Sequence, residues 1–148
     1  MPLALPALTS QLQSLFANPP PDAAACAQAW GNAMGAYASA VIPASTTVAA
    51  AASALSAALA GPFGAPNAAP AMESAFAQFA LTVGGGMAAA GFAAVPPPAP
   101  VGFAPLFAGP KPASHADAAQ SIAGQIDTWM KTGTATLVAP PNTLVPWT

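Results

Sequence analysis

The side chains that could do chemistry in this chain are few: His115 with Asp117, the lone Cys26, and the pair Asp127 and Lys131. His115 and Asp117 form the only close pairing of an imidazole with a carboxylate, the arrangement that general acid–base catalysis needs. Residues two apart on a helix point in different directions, so Asp117 suits capping and dipole stabilisation better than orienting an imidazole. Cys26 has no second thiol for a disulfide and no Cys/His cluster for zinc, which leaves it the role of a small buried apolar residue. The run Gly84-Gly85-Gly86 lacks the lysine and preceding strand of a phosphate loop and reads as a helix terminator. No Gly-x-Ser-x-Gly elbow is present. Asp127 and Lys131, four apart in the favourable order, read as a surface pair of roughly 0.2–0.5 kcal/mol. The expectation is a protein without catalytic residues, cofactor site or metal site.

The elements that would carry these residues are punctuated by proline and glycine. Leu8, Leu12 and Leu15 predict a first helix over residues 6–16, stopped by Asn18-Pro19-Pro20-Pro21. Asp22 is placed to cap a second helix, with Cys26, Trp30, Met34, Tyr37 and Val41 at steps of four, four, three and four. Pro43 breaks that stripe, and Ser45 or Thr46 can cap a third helix bearing Val48, Ala52, Leu55 and Leu59 before Gly61-Pro62. A fourth opens near Asn67 or Ala69 with Pro70 in its first turn, presents Met72, Phe76, Phe79 and Val83, and is expected to end at the glycine run. Residues 87–94 continue as a short helix. Residues 95–113 are proline-rich and predict an extended connector, yet Phe103, Leu106 and Phe107 are too apolar for a solvated spacer. Ser114 caps a last helix carrying Ile122, Ile126, Trp129 and Met130 as far as Gly133. The tail reads as an extended arm that turns at Pro140-Pro141-Asn142 and docks on its own body or on a neighbour.

The expected fold is therefore mainly α: a small bundle of four or five short helices with a Pro-rich connector and an extended C-terminal arm. Its organisation is a helical body (1–94), the connector (95–113), a helix packing on the body (114–133) and the arm (134–148).

Composition bounds the function. The chain has 148 residues, of which 55% are apolar and only six are formally charged. A soluble surface ordinarily devotes about a quarter to a third of its residues to charge. A surface this poor in charge must be buried against something, coated with neutral polar groups or prone to aggregation, and the first reading suits a component of a larger assembly. Alanine, at 43 residues, contributes little transfer free energy apiece, so the core must be thin and close-packed around a few large anchors. Two lysines and no arginine exclude phosphate-backbone binding as the mode of action, so nucleic acid is not an expected partner. Residues 41–60 are uncharged but rich in Ala, Ser and Thr, without the basic flanks or aromatic belt of a membrane span. The start, Met1-Pro2-Leu3-Ala4-Leu5-Pro6, lacks the positive region of a signal peptide, which argues against export by the general secretory route.

The Ala/Pro-rich body, the Ser-His-Ala-Asp-Ala-Ala opening of a helix that closes on Asp-Thr-Trp-Met-Lys-Thr-Gly-Thr, and the final Val-Pro-Trp resemble small virion structural proteins of tailed bacteriophages. The likeness centres on residues 114–148. It implies a structural subunit at the neck, tail or baseplate, localised to the virion, with other virion proteins and copies of itself as partners. The residues expected at contacts are Phe103, Leu106 and Phe107 in the connector and Leu144, Val145 and Trp147 in the arm; covering the protein's own bundle is their alternative role. A second family, the secreted Ala-rich helical hairpins of mycobacteria, looks similar in Trp30-Gly31 and composition and implies a cell-envelope interaction protein.

Overall fold

The computed structural model describes residues 3–39, 41, 46–139 and 142–147. The Pro43 break, the Ser45 or Thr46 cap, the Pro140-Pro141 turn and the two extreme termini fall on residues or side chains outside those described. Among the described residues the chain forms α1 (Leu5–Ala17), α2 (Ala23–Ala38), α3 (Thr46–Ala60), α4 (Ala68–Met87), β1 (Phe92–Val95), α5 (Phe103–Ala108), α6 (His115–Met130), β2 (Thr134–Leu137) and β3 (Leu144–Pro146). The fold is mainly helical, as the periodicity predicts, with a small antiparallel sheet in the order β1-β2-β3.

Local signals fix the well-predicted helices. Asp22 caps α2 by accepting from Ala25 N at 2.7 Å. Ser114 caps α6 by accepting from Asp117 N at 3.1 Å, while its hydroxyl donates to Asp117 Oδ2 at 2.7 Å. Helices adjacent in sequence, α1 to α4, lie side by side, and α6 closes against α1. The α2–α3 contact is close because Gly31 and Gly35 face it. A Cβ at Gly31 would lie 2.6 Å from the Ala52 carbonyl oxygen. Ala51, rather than Ala52, joins Val48, Leu55 and Leu59 on the buried stripe of α3.

Phe76 of α4 is the hub of the core. It meets Trp30 of α2 edge-on at 5.9 Å, Phe103 of α5 at 5.0 Å and Trp129 of α6 at 6.5 Å between ring centroids. Such pairs add about 0.5–1.5 kcal/mol each beyond area burial, which matters in a core otherwise built from alanine.

Three expectations are corrected. First, α4 runs through Gly84-Gly85-Gly86 to Met87, because Gly84 and Gly86 are buried under other elements and packing overrides poor helix propensity. Second, residues 87–94 are not a helix: a 3₁₀ turn at Ala88–Ala90 ends on Gly91 at φ 81°, and the chain leaves as β1. Third, the connector is not extended throughout, since Gly102 at φ 87° starts the short helix α5. The arm docks on its own body, one of its two expected seats: its two strands complete the sheet with β1 through the registers Ala94↔Ala135 and Ala135↔Val145.

Candidate protein-contact site

The connector is fastened by side chains that reach its backbone. Trp129 Nε1 donates to the Ala99 carbonyl at 2.6 Å, and Gln125 Nε2 donates to the Val101 carbonyl at 2.7 Å. Ala104 N donates to Glu73 Oε1 at 3.3 Å, tying the start of α5 to α4. Val101 and Phe103 are thereby buried. Phe107, one turn further on, stacks flat on Phe103 at 5.6 Å and 7° yet stays 49% exposed. Beside it runs a groove of about 640 Å³ whose walls include Phe16, Leu106, Phe107, Pro110 and Ile122, with Lys111 as its charged group.

The arm is fastened differently. Trp147 is fully buried, and its indole fills the space where two glycines have no side chain. A Cβ on Gly84 would approach the ring to 3.2 Å, and one on Gly133 to 2.7 Å. Trp147 Nε1 has no acceptor among the described residues, so the ring is held by shape. Val145 is half-buried on the inner face of the sheet, while Leu144 points outward. Leu144 shares that outer face with the exposed Val95 and Val138.

The six expected contact residues are thus divided. Phe103 and Trp147 belong to the protein's own core, Leu106 and Val145 are half-buried, and Phe107 and Leu144 remain exposed. They form two separate surfaces. The α5 surface is tied to α4 near Glu73 and the sheet near Gly84, roughly 16 Å apart along the helix. Val95 and Val138 went unnoticed in the sequence, although the alternation through Thr134-Ala135-Thr136-Leu137-Val138 carries the signal that puts Val138 outward.

The candidate chemical groups lie apart. His115 is exposed at the first residue of α6, and Asp117 is engaged with Ser114. Cys26 is half-buried, and that burial pushes its thiol above the ordinary range. Among the described residues there is no group of three or more His, Cys, Asp or Glu able to hold a metal. Asp127 corrects the surface-pair reading. It is buried, accepts from the Tyr37 hydroxyl at 2.9 Å and pairs with Lys131 Nζ at 2.7 Å. Burial first, and then the charge and hydrogen bond of Asp127, push the Tyr37 phenol far above its usual range. Tyr37 is therefore a fixed donor joining α2 to α6.

Among the described residues, one helical stretch, Thr47–Gly64, is long and apolar enough to cross a membrane, with a mean hydropathy of 1.4. In the fold it is α3 and the turn after it, packed on α2 and α4 along one stripe, with its alanine face outward. No protein-family model, curated protein or solved structure matches the chain.

Proposed function

We propose that this protein is a non-catalytic assembly subunit that works through apolar protein–protein contacts, and that its setting is the virion of a tailed phage. The observation that carries the assembly reading is Phe107, a large aromatic held half in solvent by a stack on Phe103 and a pinned backbone, beside an apolar groove. Rigid aromatic anchors next to a pocket are the usual energetic centre of an interface, because little side-chain entropy is lost when a partner arrives. Charge supports the same reading. An accessible surface of 7345 Å² carries few ionised groups, and Asp127 is withdrawn from it.

The virion setting rests on the resemblance in residues 114–148 and on the combination of a thin alanine-rich core with uncharged flanks, which suits a subunit repeated beside its own copies. Trp30 and Gly31 lie inside α2 and not at a turn between helices, so the secreted hairpin is the weaker reading.

Phe107→Asp puts a charge on the anchor without entering the core. The expected result is a fall in light-scattering mass, as the contacts made through the groove are lost, with an unchanged far-ultraviolet helical spectrum. Association equal to that of the unchanged protein would sink the groove as a contact. Mass spectrometry of purified particles tests the setting separately. The chain present in fixed ratio to other virion proteins is the expected finding, and its absence from particles would remove the virion while leaving the groove untouched.

A further inference from the structure

The sheet has two edges, and they are not alike. Hydrogen bonds from Leu137 N to the Thr143 carbonyl and from Trp147 N to the Gly133 carbonyl turn residues 143, 145 and 147 toward β2. Leu144 and Pro146 then carry the outward backbone groups, and Pro146 has no N–H to offer. That edge is blunted. At the other side, the bond from Val138 N to the Gly91 carbonyl turns residues 91, 93 and 95 toward β2. Alternation leaves the N–H and C=O of Phe92 and of Ala94 pointing away, two donors and two acceptors that bond to nothing among the described residues. β1 holds no proline, no lysine and no inward charge, the devices by which natural edges are protected.

We infer that two copies of this chain join edge to edge through β1, antiparallel about a two-fold axis at Ala93, so that their two sheets become one continuous sheet. The pattern is self-complementary. With the axis at Ala93, Phe92 of each copy faces Ala94 of the other, and both pairs exchange N–H···O bonds in both directions. All the outward groups of both strands are then used. Ala93 meets its own counterpart at the narrow spacing of about 4.5 Å between Cα atoms, where a methyl group fits. Length favours a second copy over a longer incoming strand. β1 ends at Val95, the next outward position is Pro96, which has no N–H, and the strand begins after the 3₁₀ turn at Ala88–Ala90. The charged residues nearest in sequence are Glu73 and Lys111, so no like charges are brought together within the paired strands. Ala93, Val95 and Leu144 of both copies would share one outer face.

This inference goes beyond the proposed groove, since β1 and α5 are different elements and each contact can be broken alone. The test uses the full chain with Cys26→Ala, to remove the native thiol, and a single new cysteine. Ala93→Cys places two thiols across the axis, within the ~4.4–6.8 Å Cα range of a disulfide. Oxidation with copper-phenanthroline and dissolved oxygen is expected to give a covalent dimer whose cross-linked peptides map 93 to 93. Val95→Cys is expected to remain uncrosslinked, because the register puts it opposite residue 91 of the other copy. Ala94→Pro, which deletes an outward N–H that β2 does not use, is expected to raise the dimer dissociation midpoint at least tenfold by sedimentation equilibrium. Phe107→Asp should leave the 93-to-93 cross-link intact. A protein that sediments as a monomer at every concentration overturns the inference, as does cross-linking at 95 equal to that at 93.

Discussion

The connector and the C-terminal arm are both short of helix-forming sequence, and both end up fastened to the same α4, but by opposite means. The connector is held at several points, by Trp129, Gln125 and Glu73 through hydrogen bonds to backbone atoms and by the burial of Val101 and Phe103. The arm is held by the β1–β2 ladder, on which β2 carries β3, and by one ring, Trp147, seated between Gly84 and Gly133. Distributed fastening tolerates the loss of any one point. Concentrated fastening does not, and it demands glycine on both walls of the seat.

Three measurements press on that contrast. Trp147→Ala should have the largest effect, a loss of about 3–5 kcal/mol in denaturant unfolding, with β3 gaining amide exchange before the helices do. If β3 stayed as protected as in the unchanged protein, the ladder alone would be holding the arm. A third junction, Tyr37 on Asp127, fastens neither segment and sets a baseline. The folded state holds the Tyr37 proton far above the unfolded phenol's pKa of about 10. Above that pH the unfolded chain binds fewer protons than the native one, so stability is full below about pH 10 and falls as pH rises, by about 1.4 kcal/mol per pH unit. Tyr37→Phe should abolish that alkaline slope, and because Tyr37 is the sole tyrosine, phenolate absorbance should appear in the unchanged protein only as it unfolds. Gln125→Ala should be mildest, about 0.5–1.5 kcal/mol, with the connector still docked. A loss as large as that of Trp147→Ala would show the connector hangs on one bond.

The parts legible in the sequence were those decided within a few residues. Asp22 and Ser114 announce their helices because a cap acts three residues away, and the Trp30, Met34, Tyr37, Val41 stripe names a buried face by spacing alone. The sheet was hidden because in Phe92-Ala93-Ala94-Val95 the two strand formers, Phe92 and Val95, are separated by alanines, which are depleted in strands. It is extended because Gly91 turns the chain and β2, some forty residues later, offers a ladder. The glycine run misled for a related reason. Its value lies in what it admits from the far end of the chain, which no local rule can see. Asp127 shows the same limit, since i to i+4 spacing identifies Lys131 but not the burial created by Tyr37, 90 residues away. Of the expected contact residues, Phe103 and Trp147 were large and apolar enough for either role, and only packing decided that they face inward.

With Asp127 inside, the solvent-facing shell would have almost no ionic atmosphere to rearrange in the association proposed above. Added salt at ordinary ionic strength then has little to screen, and temperature becomes the stronger lever, because apolar contact carries a negative heat-capacity change and weakens in the cold. Joining of the proposed kind would be set by how warm and how concentrated the subunits are, and hardly at all by the ions around them.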